Sequence, residues 1–178
     1  ETNMGNGRYA IEAKNLSKEY DGIEALKDVS FKVKKGDVVG YLGPNGAGKT
    51  TTIKLMTNLL KPTSGSVFIN GINVTRNPTK ALSYVGALIE VPGMYDYLTP
   101  HELMIHQGKV YRMGKENIKK RIKQVLKTVK LKDWEHTKID DFSTGMRRRL
   151  AIGLALLPSP KILILDEPVM GLDPEGIK

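Results

Sequence analysis

Between Gly43 and Thr51 the chain reads Gly-Pro-Asn-Gly-Ala-Gly-Lys-Thr-Thr, the spacing G-x-x-x-x-G-K-[ST] of a phosphate-binding loop. Each residue type fits that chemistry. Gly43, Gly46 and Gly48 let the backbone turn back and aim successive N–H groups into one concavity, a nest for anions. A helix opening near Gly48 adds unpaired amides and the positive end of its dipole. Lys49 brings a point charge for the outer phosphates of a nucleoside triphosphate, and Thr50 a hydroxyl for a phosphate-bound magnesium ion. A second set is the acidic pair Asp166-Glu167, which follows Ile162-Leu-Ile-Leu165. Downstream of a phosphate loop, Asp166 suits a magnesium ion, directly or through water, and Glu167 suits polarising an attacking water. By itself such a pair is equally a helix cap or a turn. A third is Ser143, at the head of the helix that Asp140-Asp-Phe-Ser-Thr-Gly-Met-Arg-Arg-Arg-Leu150 begins. Its hydroxyl either caps that helix or joins the amides near Gly145 in a second anion site.

These groups need elements to position them. The apolar run Val38-Val39-Gly40-Tyr41-Leu42 is expected to be a strand delivering the glycine loop into a helix from about Gly48 to Leu60, stopped before Pro62. Tyr9 to Leu16 alternates loosely as a strand, with a turn at Tyr20-Asp21-Gly22. Val29, Phe31 and Val33 alternate with Ser30 and Lys32, the period of a half-buried strand, and Lys34-Lys-Gly-Asp37 turns the chain. Gly65 to Ile69, Asn70-Gly71 and Ile72 to Val74 read as a hairpin on a tight Asn-Gly turn. Ser83 to Ile89 reads as a buried strand, and so does Ile162 to Leu165, fully buried by its unbroken β-branched and leucine run. Thr99-Pro-His-Glu102 is a capping box with proline at the first helical position, and Leu98 facing Leu103 would be its hydrophobic staple. From about Glu116 a second amphipathic helix lines up Ile118, Ile122, Val125, Leu126 and Val129. The third helix carries an apolar run to Leu157.

The 178 residues, 40% of them hydrophobic, suffice for one core with a small appended lobe. The sequence holds no cysteine, which excludes a disulfide framework and thiolate metal sites. Glu1 to Gly7 is polar and unlike a signal peptide. The longest apolar stretch is broken by Pro158-Ser-Pro-Lys161, so no bilayer-spanning helix is expected. The net charge of +9 is open to three readings: a nucleic-acid footprint, attraction to an anionic membrane surface, or a solvated lysine-rich helix face. Lys119, Lys120, Arg121, Lys123, Lys127, Lys130 and Lys132 spread round one helix with no interleaved aromatics, which suits the last.

The order of phosphate loop (Walker A), helical insertion, Phe142-Ser-Thr-Gly-Met-Arg-Arg-Arg, Ile-Leu-Ile-Leu-Asp-Glu-Pro (Walker B) and Gly171-Leu-Asp-Pro174 resembles the ATP-binding subunit of an ABC transporter over almost the whole chain. Ser143-Thr-Gly-Met stands for the family signature L-S-G-G-Q, with Phe142, Thr144 and Met146 as departures of the kind found in bacitracin and lantibiotic exporters. The resemblance implies an α/β fold: a P-loop NTPase core of mixed or parallel sheet flanked by helices, an N-terminal antiparallel β-subdomain, and an inserted α-helical subdomain. It places core and β-subdomain in residues 8–90 and 158–178, and the helical subdomain with the signature in residues 91–157. It implies ATP and Mg2+ as ligands, with ATP held by Gly43, Asn45, Gly46, Ala47, Gly48, Lys49, Thr50 and Thr51, and by Ser143 and Gly145 of the signature. Tyr20, on its own an ordinary turn tyrosine, lies where the family stacks an aromatic on adenine. Asp173 matches the D-loop aspartate at the dimer interface. Glu90 falls where the family usually has the Q-loop glutamine; the resemblance counts it with Glu167 and Lys49 as catalytic and with Thr50 and Asp166 at magnesium, directly or through water, and it adds a negative charge beside Glu167.

The resemblance further implies a head-to-tail dimer with a second ATP-binding subunit, each ATP held between the glycine loop of one chain and the signature of the other. The loop Val91 to Leu98, rich in apolar and aromatic residues, either packs on its own lobe or, as the resemblance implies, docks a transmembrane permease subunit. The subunit would then be cytoplasmic, peripheral on the inner face of the membrane, hydrolysing ATP to energise an exporter, with no nucleic acid bound. Two other classes stay open: a soluble ABC-type ATPase acting on ribosomes or nucleic acid, and a P-loop kinase. The family also carries a switch histidine beyond the D-loop, whereas His101, His106 and His136 all precede Asp166. The resemblance therefore implies a longer polypeptide, and residues 1–178 alone are expected to show weak or absent ATPase activity. Vigorous turnover by those residues in a phosphate-release assay would contradict this.

Overall fold

Two-residue turns built on left-handed backbone organise the first half of the chain. In a computed structural model, which describes residues 8–89 and 93–168, strands β1 (Tyr9–Tyr20) and β2 (Ile23–Lys34) pair antiparallel around Asp21 (φ 47°) and Gly22 (φ 82°). Strands β3 (Ser64–Ile69) and β4 (Ile72–Asn73) do the same around Asn70 (φ 49°) and Gly71 (φ 78°), the expected Asn-Gly hairpin with Ile69 opposite Ile72. β1 also pairs antiparallel with β3, giving one sheet of order β2-β1-β3-β4. The alternation expected for Val29, Phe31 and Val33 is present: each is half-buried between exposed Ser30, Lys32 and Lys34. Helix α1 (Lys49–Met56) packs on β2 and β3, and the short α2 (Pro78–Leu82) on β3 and β4.

Two expectations for this half are corrected. Helix α1 ends four residues before Leu60, because Asn58 adopts φ 57° and the N–H groups of Leu59 and Leu60 both turn back to the Lys54 carbonyl. Residues 38–42 form no strand. Val38, Val39 and Leu42 are 102%, 59% and 92% exposed, and none of these residues joins a ladder. Such a run codes for a strand covered on both faces. A ladder is a property of its neighbours, and the sheet β2-β1-β3-β4 supplies none to this segment.

The chain divides into two compact units, Glu1–Val85 and Gly86–Lys178. The segment expected as the helical lobe falls inside the second. There β5 (Val85–Leu88), at the boundary, pairs with β6 (Ile162–Leu165), and α3 (Pro100–Val110), α4 (Lys115–Thr128) and α5 (Thr144–Leu156) pack together. All five apolar residues expected on one face of α4 are buried. β6 is less covered than expected, with Leu163 40% exposed, since β5 flanks it within a two-stranded sheet. A Cβ on Gly86 would lie 2.2 Å from the Ala155 carbonyl oxygen, so glycine sets the approach of β5 to α5. On α4 the lysines are exposed, while Arg121 turns inward and donates from Nε to the Leu157 carbonyl (3.1 Å) and from Nη2 to that of Leu156 (2.6 Å). That satisfies acceptors left open at the end of α5.

The capping box of α3 is formed as expected. The Glu102 N–H donates to Thr99 Oγ1 (3.2 Å), and the Thr99 N–H donates to Glu102 Oε2 (2.9 Å). Leu98 and Leu103 belong to the same apolar cluster as α4. The bonds from the Thr99 backbone and hydroxyl hold the Glu102 carboxyl below its ordinary value. A depressed carboxyl stabilises the fold above its unfolded value, and that contribution disappears as pH falls through the folded one. Thr99→Ala is expected to cost about 1 kcal/mol in urea unfolding at pH 7. Glu102→Gln is expected to remove part of the acid-side loss of stability seen when the same unfolding is followed downward from pH 6.

Candidate functional site

The first unit holds the glycine loop. Gly46 and Gly48 adopt φ 81° and 78°, the left-handed backbone the sequence predicts for them. Gly48 is irreplaceable on a second count: a Cβ there would lie 2.7 Å from the Ala25 carbonyl oxygen of β2. The Ala47 N–H donates to the Pro44 carbonyl at 3.2 Å, closing the loop, with Asn45 exposed at its tip. Lys49 opens α1 and folds its Nζ back onto the Gly43 and Pro44 carbonyls, 2.8 Å from each. The first turn of α1 carries no acidic residue, so nothing opposes an anion at its N-terminus. Thr50 and Thr51 are half-buried in that turn. Thr52 is fully buried, donating to the Gly48 carbonyl (2.9 Å) and lying 3.4 Å from the Tyr41 hydroxyl, which anchors the loop–helix junction. Tyr20 is 40% exposed at the β1–β2 turn, paired with Ile23, with the Lys18 ammonium over its ring. Two residues beyond Ile23, the Ala25 carbonyl backs Gly48, so the start of β2 serves both Tyr20 and the loop.

The second unit holds the signature and the acidic pair. Ser143 is the N-cap of α5, its exposed hydroxyl accepting from the Met146 N–H at 3.2 Å, and Gly145 lies in the first turn. This first turn too lacks acidic residues. Asp166 and Glu167 stand beyond β6, with the Asp166 N–H donating to the Leu88 carbonyl of β5 at 2.7 Å. Asp166 is half-buried and Glu167 exposed, and Glu167 takes φ 45°, rare for a non-glycine residue. Glu90, Val91 and Asp173, with the rest of Gly171-Leu-Asp-Pro174, lie outside the described residues.

Two arginines went unassigned in the sequence and carry much of this geometry. Arg148 donates from Nη2 to the carbonyls of Asp166 (3.2 Å) and Glu167, and from Nε to that of Pro168 (3.2 Å). One guanidinium thereby fixes the backbone of the acidic pair to the helix that Ser143 caps. Arg147 pairs with Asp96 and donates to the carbonyls of Phe142 (3.3 Å) and Asp140 (3.4 Å). Backbone bonds run alongside, from the Asp140 N–H to the Asp96 carbonyl (3.0 Å) and from the Ile139 N–H to the Leu98 carbonyl (2.9 Å). The loop ahead of α3 is thus tied to the segment leading into Ser143. In that loop Met94 packs toward the apolar cluster, whereas Tyr95 and Tyr97 are 56% and 70% exposed with their rings 5.8 Å apart. The signal in the sequence was the run Arg147-Arg-Arg149 one turn into a helix, at a spacing that sends successive guanidinium groups to different sides.

The ABC transporter family model matches residues 26–170, and the chain belongs to that family. Its relatives are ATP-binding proteins. It is 46% identical over 171 residues to the uncharacterized ABC transporter ATP-binding protein YcbN of Bacillus subtilis, covering 96% of this chain and 54% of that protein. It is 43% identical to the bacitracin transport ATP-binding protein BcrA of Bacillus licheniformis (94% and 54% covered). Against the linearmycin resistance ATP-binding protein LnrL of Bacillus subtilis identity is 39% (93% and 53% covered). The chain spans about half the length of the curated relatives it matches. Among solved structures, an ATP-binding subunit of an ABC transporter superposes with TM-score 0.84 at 33% identity, covering 94% of this chain and 70% of that one. CbiO1 of Clostridium perfringens, part of the ABC transporter complex cbiONQ, superposes at 0.83 with 28% identity, covering 96% and 70%. The expected α/β fold of an ABC ATP-binding domain is therefore the fold of this chain.

Two substitutions test the geometry in the full-length chain. Gly48→Ala, which forces a side chain into left-handed backbone against Ala25, is expected to weaken ATP binding at least about tenfold in equilibrium titration. Arg148→Met removes charged hydrogen bonds worth about 1.5–3 kcal/mol each and is expected to lower kcat about tenfold or more. ATP affinity is expected to change less than about threefold, since among the described residues the hydrogen bonds of Arg148 run to the backbone of residues 166–168 and not to the glycine loop.

Proposed function

We propose that this chain is the ATP-binding and ATP-hydrolysing part of a subunit that energises an ABC-type membrane exporter, with an antimicrobial peptide or drug as cargo. The observation that carries the reading is helix α5. Its capped N-terminus bears the signature, Arg148 holds the backbone of the acidic pair, and Arg147 holds the tyrosine-bearing loop. Names of relatives support the cargo class, since BcrA is named for bacitracin transport and LnrL for linearmycin resistance.

In this reading the nest at Gly46 and Gly48 and the start of α1 take the phosphates of ATP, and Lys49 turns from the Gly43 and Pro44 carbonyls to the outer phosphates. Asn45, Ala47 and Thr51 line that loop, and Tyr20 stacks on the base. Thr50 and Asp166 are oxygen donors of the kind a hard cation takes, and a bound Mg2+ would neutralise charge developing on the transferred phosphoryl group. Glu167 orients and polarises the attacking water, Glu90 would join Thr50 and Asp166 at the metal, and Asp173 takes the D-loop role at the dimer interface. The N-terminus of α5, with Ser143 and Gly145, takes the ATP of a partner subunit, so ATP closes a head-to-tail dimer and hydrolysis reopens it. Tyr95 and Tyr97 meet the permease, and the Asp96–Arg147 pair passes its movement to the signature. That places the subunit on the inner face of the membrane. Among the described residues no helix is long and apolar enough to cross a membrane.

The full-length chain reconstituted with its multi-span partner in vesicles tests the reading. Lys49→Ala is expected to abolish ATP-driven transport. Replacing Tyr95 and Tyr97 together by Ala is expected to lower transport about tenfold with ATP affinity unchanged within about threefold, as for loss of two aromatic anchors. Intact transport in the tyrosine variant would refute the docking assignment.

A further inference from the structure

The second unit contains a cluster that the nucleotide chemistry does not use. His101 is the second residue of α3, and Glu135 and His136 follow the 3-10 turn Lys132–Trp134. The His101 N–H donates to the Glu135 carbonyl at 3.1 Å, which fixes these two segments side by side. His101 Nδ1 lies 2.7 Å from Glu135 Oε1, and the rings of His101 and His136 stand 5.1 Å apart at 43°. One ligand atom from each of the three side chains lies within 4.8 Å of the others.

A hydrogen bond accounts for His101 beside Glu135, but not for a second imidazole brought within reach of both. Two imidazoles and a carboxylate are a donor set of borderline divalent cations, zinc above all. Bonds of about 2.0–2.2 Å place tetrahedral donors about 3.3 Å apart, so the three ligand atoms need to draw together by no more than about 1.5 Å on binding. His136 is exposed and His101 and Glu135 are half-buried, which gives an ion a path in and leaves a fourth position for water. Glu102, exposed one residue along α3, has its carboxylate engaged by Thr99 and adds negative potential near both rings.

We propose that His101, Glu135 and His136 bind one divalent transition cation, zinc by preference, which staples the start of α3 to the turn after Lys132. Trp134 in that turn meets Phe142 edge to face at 6.1 Å, and Phe142 immediately precedes Ser143. The bound ion therefore stiffens the stretch between the tyrosine loop and the signature. The proposal stands on these residues alone, whatever the cargo or partner of the chain.

The test uses the full-length chain, free of any added histidine tag, titrated with Co2+ as a spectroscopic probe and with Zn2+ by calorimetry. The expected result is one ion per chain, visible ligand-field bands of low-symmetry Co2+, and a rise in melting temperature with Zn2+. His136→Ala, at an exposed position where folding is not at stake, is expected to weaken binding at least about tenfold and to abolish the rise. Glu135→Gln is expected to weaken binding, and His106→Ala, on an exposed position of the same helix, to leave it unchanged. No saturable binding, or equal binding by wild type and His136→Ala, would overturn the site.

Discussion

The guanidinium groups of Arg147 and Arg148 are the constraint on which the second unit depends. One turn into α5, they reach in different directions, to Asp96 and the carbonyls before Ser143, and to the carbonyls after β6. Charge-assisted bonds to backbone carbonyls are stronger than neutral ones, and here they fall on the main chain of Asp166 and Glu167 rather than on their carboxylates. They also hold Glu167 in a left-handed backbone that an exposed glutamate would not adopt unaided. Arg121 closes the far end of the same helix. Bonds at both ends of α5 thus tie it to α4, to the loop ahead of α3 and to the end of β6.

The first unit is constrained differently, by backbone conformation at the glycine loop. Gly46 and Gly48 take positive φ, the Ala25 carbonyl leaves no room for a side chain at Gly48, and Lys49 bonds to the Gly43 and Pro44 carbonyls. The helix behind it keeps its first turn free of acids, as α5 does. Each unit thus holds one helix N-terminus with an acid-free first turn, open in α1 and capped by Ser143 in α5, and each suits an anion.

Much of this was legible because the signals are local. The Asn70-Gly71 hairpin, the Thr99–Glu102 box and the buried face of α4 each follow from backbone preference or periodicity within a few residues, and each is present. The left-handed backbone at Gly46 and Gly48 was legible for the same reason. Val38 to Leu42 was not, since an apolar run specifies burial but not which neighbour provides it, and the antiparallel sheet provides none. The early end of α1 turned on Asn58 entering left-handed backbone, a choice that Pro62 obscured in the sequence. Arg147 and Arg148 were visible as charges but not as clamps, because their acceptors are carbonyls 5 to 20 residues away that no motif records. His101, Glu135 and His136 are brought together only by the fold, across 34 residues.

The central claim is that the loop at Gly43–Thr51 and the signature at Ser143–Gly145 complete one another only across two molecules. The sequence holds no cysteine, so introduced thiols report without background. Full-length chains carrying Asn45→Cys are mixed with chains carrying Thr144→Cys and oxidised with and without ATP. The account predicts a disulfide-linked dimer of the two different chains that forms only with ATP and is lost on Lys49→Ala. No cross-linked dimer under ATP, or a disulfide closing within a single chain that carries both cysteines, would contradict it.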